Sequence, residues 1–233
     1  MAQLTDEASL FAGLARDRGQ LTRTSTAERV AAILRERITE GSLPPGTRLS
    51  EELLGQALGV SRNTLREAFR LLSKERLLVH ELNRGVFVRK LTLDDLVDVY
   101  RVRRLVEVAV VRSAGPLDDD QLRRLRADVA AGEQAVAEGR WIDVGTANIH
   151  FHLSLVALSA SPRVDELMHQ VLAELRLVFH VMTDPRAFHA PFVSRNRALI
   201  ALLEAGDFEQ AARDLEVYLT DAEAELVTVM ATP

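Results

Sequence analysis

The chain has 233 residues, 47 % of them apolar and 5 % aromatic, and no cysteine, which supplies material for two cores and excludes disulfides and thiolate metal sites. No stretch approaches the roughly 18 uninterrupted apolar residues of a membrane span, and the N-terminus lacks the apolar core of a secretory signal, so a cytoplasmic protein without a membrane partner is expected. The net charge of −5 is unevenly divided: residues 23–90 hold 13 Lys/Arg against 8 Asp/Glu, and residues 91–233 hold 14 against 23. A basic first part ahead of an acidic second part points to an anionic partner for the former.

Residues 1–24 are polar apart from a weakly amphipathic patch at 8–14 and read as a flexible tail. A helix is expected over 25–40, where Ser25 and Glu28 have capping-box spacing and Val30, Ile33, Leu34 and Ile38 form the buried stripe. Gly41-Ser42-Leu43-Pro44-Pro45-Gly46 stops it. Ser50 caps a short second helix bearing Leu53, Leu54, Ala57 and Leu58, which Gly59 ends. Ser61 caps a third helix, whose apolar stripe is Leu65, Phe69 and Leu72, while Arg62, Asn63, Arg66 and Arg70 lie off it. Two β-rich runs, 77–82 and 86–89, then flank the turn residues Asn83-Arg84-Gly85 and predict a hairpin. Turn, basic helix and hairpin in that order are the parts of a winged helix-turn-helix, in which the helix starting at Ser61 enters a DNA major groove.

After residue 90 almost no β signal remains. One long helix starts at Thr92 and another at Asp118-Asp119-Asp120, where acids favour the positive end of the helix dipole. Further helices are expected over 141–158, 164–182, 191–205 and 208–230, with breakers at Gly139, Ser161-Pro162, Asp184-Pro185 and Gly206. The fold expected is therefore mainly α: an N-terminal winged helix-turn-helix of three helices plus a β-hairpin over 25–90, joined to a C-terminal all-α antiparallel helical bundle over 91–233.

Three segments carry a family resemblance: Ile38-Thr39-Glu40-Gly41-Ser42-Leu43-Pro44-Pro45-Gly46-Thr47-Arg48-Leu49, Leu58-Gly59-Val60-Ser61-Arg62-Asn63-Thr64-Leu65-Arg66-Glu67-Ala68, and Asn83-Arg84-Gly85-Val86-Phe87-Val88. In that order they resemble the DNA-binding domain of GntR-family transcriptional regulators, departing at Asn63-Thr64-Leu65, where the family often has proline. Residues 100–107, Phe151-His152, Ala205-Gly206-Asp207 and Ala211-Ala212 resemble, more loosely, the FCD ligand-binding domain found behind many such heads.

The resemblance implies a divalent metal inside the bundle, held by an acid and a histidine four residues apart and by two later histidines. In this chain those positions fall on Asn148, His152, Asn196 and Tyr218, so one histidine is kept. Asn is a neutral, weaker ligand than a carboxylate, and Tyr is not ionised near neutral pH. No cofactor and no tightly bound metal are expected. These four residues can instead line a polar effector site, with Arg103 offering a fork to an effector carboxylate or pairing with Glu107 four residues on. His150, two residues from His152, points to a different face; His169, His180 and His189 are assigned surface or loop roles, and Trp141 a place at a helix start.

The function implied is a DNA-binding transcriptional regulator and not an enzyme. It is expected to be a homodimeric repressor of a near-palindromic double-stranded operator, controlled by a small carboxylate-bearing effector. Ser61, Arg62, Asn63, Thr64 and Arg66, with Arg84 and Gly85 on the wing, are the expected DNA contacts. Alternatives are a sensor of larger acyl esters and a DNA-binding protein whose sensor domain no longer binds a ligand. A metal-dependent enzyme built on His150 and His152 lacks a second His/carboxylate pair. The helix from Thr92 is the expected conduit between effector site and head.

Overall fold

The computed structural model describes residues 25–180, 182 and 184–231, so the expected tail over 1–24 lies outside the described residues. Helix α1 (Thr26–Thr39) starts on a capping box: Ser25 Oγ accepts from the Glu28 N–H at 3.1 Å, and Glu28 Oε2 accepts from the Ser25 N–H at 2.6 Å. It buries Ala27, Val30, Ala31, Leu34 and Ile38. Ile33, expected in that stripe, is 43 % exposed, because it lies about 120° round the helix from the centre of the buried face.

Helix α2 (Glu51–Leu58) is capped by Ser50 and ends at Gly59, whose φ of +65° is the left-handed conformation that the tight turn requires. Leu53 of α2 is not buried but 68 % exposed. In α3 (Arg62–Lys74) Leu65, Ala68, Phe69 and Leu72 are buried, and Ser61 Oγ accepts from the Thr64 N–H at 3.1 Å. The hairpin of β2 (Leu78–Glu81) and β3 (Gly85–Val88) gains a third strand, β1 (Arg48–Leu49), in the order β1-β3-β2. Both pairings are antiparallel, with Arg48 and Val79 opposite Phe87. Two residues are too few to show alternation, so β1 has no sequence signal of its own.

Six bundle helices follow among the described residues: α4 (Leu93–Ser113), α5 (Asp119–Ala137), α6 (Trp141–Ala157), α7 (Pro162–Phe179), α8 (Pro185–Glu204) and α9 (Phe208–Ala231). Ion pairs Arg104–Glu223 and Arg112–Glu209 show that α4 and α9 run antiparallel. Helices α7 and α8 begin earlier than expected. Pro162 and Pro185, read as breakers, stand in the first turn, where the missing N–H has no intrahelical partner to lose, and Pro191 is carried inside α8. Asp184 caps α8 by accepting from the Ala187 N–H at 2.9 Å.

Helix α7 joins bundle to head. Its Leu177 belongs to the head core with Ile38, Leu65 and Leu72, whereas its Met168, Leu172 and Leu175 belong to the bundle core. Glu174 accepts from Arg89 Nη1, at the end of the wing, at 3.0 Å. Thr39 O, on the last residue of α1, accepts from Arg176 Nε at 3.0 Å and from His180 Nε2 at 2.8 Å. A helix C-terminus leaves carbonyls unpaired and favours positive charge, and both needs are met here from α7. The expected conduit α4 also touches the head, through the Asp95–Arg89 ion pair.

Candidate functional site

The head presents its polar residues on two elements. At the start of α3, Ser61, Arg62, Asn63 and Arg66 are exposed, while Thr64 is half-buried with its Oγ1 2.9 Å from Ser61 Oγ. The stripe beneath them is closed, so these side chains cannot turn inward. Arg66 is held by a residue with no expected role: its Nε donates to Glu51 Oε1 at 3.0 Å and to Oε2 at 3.2 Å. That hydrogen bond and the charge of Glu51 raise the Arg66 pKa further above its ordinary value.

On the wing, Arg84 is exposed, pairs with Glu81, and has its guanidinium 5.5 Å from the centre of the Phe87 ring. Gly85 has φ +110°, a conformation that L side chains rarely adopt, and Arg48 lies beside it, its Nε 3.5 Å from where a Cβ would stand. Arg48 therefore joins the basic surface at the base of the wing.

The bundle brings the five expected effector residues into one hydrogen-bonded network. Arg103 and Glu107 are buried side by side on α4, with Arg103 Nε donating to Glu107 Oε1 at 2.7 Å. The pairing with Glu107 is thus the one realised, and the guanidinium also lies 4.9 Å from the Tyr100 ring centre. Glu107 Oε2 lies 2.6 Å from His152 Nδ1, and His152 Nε2 lies 3.3 Å from Tyr218 Oη. Tyr218 donates to Asn148 Oδ1 at 2.8 Å, and Asn196 Nδ2 donates to the same oxygen at 2.7 Å.

The electrostatics follow from this arrangement. Burial alone would raise the Glu107 pKa, but Arg103 and His152 outweigh it and hold the carboxyl at about 2. Burial lowers the His152 pKa and favours the neutral ring, so the proton sits on Nδ1 facing the Glu107 carboxylate. Burial also raises the Tyr218 pKa, which keeps its hydroxyl protonated. Two buried polar atoms of the network, Arg103 Nη2 and Asn196 Oδ1, have no hydrogen-bond partner among the described residues.

This donor set does not fit a divalent metal. Glu107 is the one carboxylate in the network, and both of its oxygens are engaged, one by Arg103 and one by His152. The remaining oxygen donors are neutral, and Asn148 Oδ1 already accepts two hydrogen bonds.

Two histidines differ from expectation. His189, assigned a surface or loop role, is buried on α8 against Phe179 and Phe188, with Nε2 2.8 Å from where a Gly145 Cβ would stand. A glycine on a facing helix makes that space, and spacing along the chain cannot show it. His180 is half-buried at the junction with the head, whereas His150 and His169 are exposed. Trp141 opens α6, with the Arg186 guanidinium 5.7 Å from its ring centre.

Comparison with known proteins agrees with both halves. Residues 26–88 match the model for bacterial regulatory proteins of the gntR family, and residues 98–221 match the FCD domain. The crystal structure of a GntR transcriptional regulator from Rhodococcus sp. RHA1 is similar over 88 % of this chain and 99 % of its own, at 48 % identity and a TM-score of 0.84. The HTH-type transcriptional regulator YdhC of Bacillus subtilis (strain 168) is 31 % identical over 59 % of this chain and 62 % of its own length. The gluconate operon transcriptional repressor of Bacillus licheniformis is 38 % identical over 44 % of this chain and 42 % of its own length. The matches thus span less than two thirds of these two relatives. Among the described residues, no helix is long and apolar enough to cross a membrane.

Proposed function

Because this chain belongs to the GntR family of transcriptional regulators and carries an FCD domain behind its DNA-binding head, we propose that it is a homodimeric repressor released from its operator by a small-molecule effector. The observation that carries the reading is α3: a helix with one closed apolar face, capped by Ser61, that leaves Arg62, Asn63 and Arg66 exposed at its N-terminal end beside a basic wing. Such a helix end reads base edges in the major groove, while Thr64, Arg84 and the Gly85 backbone take phosphates or the minor groove. Two heads related by a twofold axis read a near-palindromic site.

The test is binding to an operator selected from random duplexes by the full-length protein, measured beside an unrelated duplex at fixed salt. Arg66→Ala should weaken operator binding by about tenfold to a hundredfold and relax the preference at one base position per half-site. Equal losses on both duplexes would make Arg66 a phosphate anchor and remove the base-reading role.

For the effector, the two open groups of the bundle network support a compound with an acceptor for Arg103 Nη2 and a donor for Asn196 Oδ1, the pair that a small hydroxy acid supplies. No resident metal is part of this reading, given the neutral donor set. One observation favours a second reading, a sensor that no longer takes a ligand at the bundle centre: Asn148 Oδ1 already accepts from both Tyr218 and Asn196, which ties these three residues to one another. A thermal-shift series with sugar acids, other organic acids and acyl-CoA esters separates the two, since a specific ligand raises the unfolding temperature.

A further inference from the structure

A groove of about 900 Å³ opens between the head and the bundle, whereas the cavity touching Asn148 and Asn196 holds only about 10 Å³. The groove runs between α1 and the paired helices α6 and α7. Ile142, Ile149, Leu153 and Leu172 give it an apolar surface, and its volume falls within the roughly 300–1,000 Å³ of small-molecule sites.

Its charges are unevenly matched. Of the acids that line it, Glu40 pairs with Arg37, Glu75 with Arg35 and Asp143 with Arg140; Glu166, exposed on the first turns of α7, has no ion pair among the described residues. Arg176 also lines the groove, is 5 % exposed, and has no carboxylate partner among the described residues. Its guanidinium donates only to neutral oxygens: Thr39 O, Ile142 O at 3.2 Å from both Nη1 and Nη2, and Thr146 Oγ1 at 2.7 Å. One N–H on Nη1 is left over. A buried cation without a counter-charge is unfavourable, and an anion beside it removes that penalty, whereas the exposed Glu166 is screened by solvent.

We propose that this groove is a small-molecule site separate from the bundle centre, that it takes an amphipathic monocarboxylate with an aryl or medium-chain alkyl body, and that Arg176 is the group its carboxylate meets. The apolar body lies on Ile142, Ile149, Leu153 and Leu172, and the carboxylate supplies the charge that Arg176 lacks. The same guanidinium holds the last carbonyl of α1, so occupancy acts directly on the contact that fixes the head to α7.

The test is titration calorimetry on the full-length protein with 4-phenylbutyrate and octanoate, each beside its neutral amide. Both acids should bind, and the amides about tenfold more weakly or worse. Ile142→Glu changes an exposed residue and places a negative charge on the groove wall; it should weaken the acids by about tenfold or more, as should Arg176→Met where that variant folds. Tyr218→Phe, inside the bundle network, should leave these affinities unchanged. The proposal is overturned if neither acid binds, if the amides bind as well as the acids, if Ile142→Glu has no effect, or if Tyr218→Phe is the change that removes binding. Operator binding is measured separately, so failure here leaves the repressor reading standing.

Discussion

Glu51 on α2 grips Arg66 on α3 through both carboxylate oxygens, at 3.0 and 3.2 Å. The pair fixes the direction of the side chain proposed above to reach a base edge, and it puts a negative charge beside it. Glu51→Gln keeps the shape and removes the charge. Affinity for an unrelated duplex should rise while affinity for the operator stays level or falls, so the ratio between them should drop by about tenfold. A ratio unchanged in binding assays at two salt concentrations would show that Glu51 does not orient Arg66.

Glu107 balances two buried partners, and losing its charge strands one of them. In Glu107→Gln, Arg103 keeps its charge at 1 % exposure with no carboxylate beside it. Destabilisation of about 3–5 kcal/mol is expected in urea titration. The double variant Glu107→Gln, Arg103→Met should recover a good part of that loss, because no buried charge is left unpaired.

Acid should destabilise the protein in two windows with different owners. Burial, with a further push from Arg176, lowers the His189 pKa to about 4 from 6.5. Between pH 6.5 and 4 the unfolded chain therefore takes up a proton that the folded one refuses, and stability falls by about 3 kcal/mol before levelling off. His189→Gln should flatten that limb, although His152 and His180, also lowered, will keep part of it. The Glu107 pKa is depressed, so its contribution is complete above 4.5 and disappears as pH falls through about 2. Urea midpoints from pH 8 to 2.5, for wild type and each variant, separate the windows.

Gly145 is a position where a single added methyl should matter. A Cβ there would stand 2.8 Å from His189 Nε2 and 3.0 Å from Arg176 Nη1. Neither neighbour yields easily: His189 is wedged between Phe179 and Phe188, and Arg176 is tied to both α1 and α6. Gly145→Ala is expected to destabilise by about 1–3 kcal/mol. Adding His189→Ala should recover most of the loss in a double-mutant cycle, and an additive cycle would place the strain elsewhere.

What could be read in the sequence was local. Ser25 with Glu28, Ser61 before a basic amphipathic helix, and Asn83-Arg84-Gly85 between two β-rich runs each act over a few residues, and each forms where expected. Asn148, His152, Asn196 and Tyr218 are marked by family resemblance rather than periodicity, and the fold brings them together. Glu107 had a partial signal in its spacing from Arg103, but its grip on His152 spans 45 residues. The roles of Arg176, His189 and Glu51 depend on neighbours distant in the chain. Arg176 stands in an apolar run that reads only as core, and its acceptors lie 137 and 34 residues away. Pro162 and Pro185 mark helix starts as well as breaks, because a proline in the first turn has no intrahelical N–H bond to lose.

Leu177 reaches from a bundle helix into the core of the head, beside Ile38, Leu65 and Leu72. Neither half can then melt without disturbing the other, and the chain should unfold in one cooperative step rather than two. Cutting after residue 90 would strip Leu177 from that core and expose an oily patch on the excised head. A stable fragment would need a polar replacement on that face, and native-state proteolysis should find few openings between the halves until the whole molecule gives way.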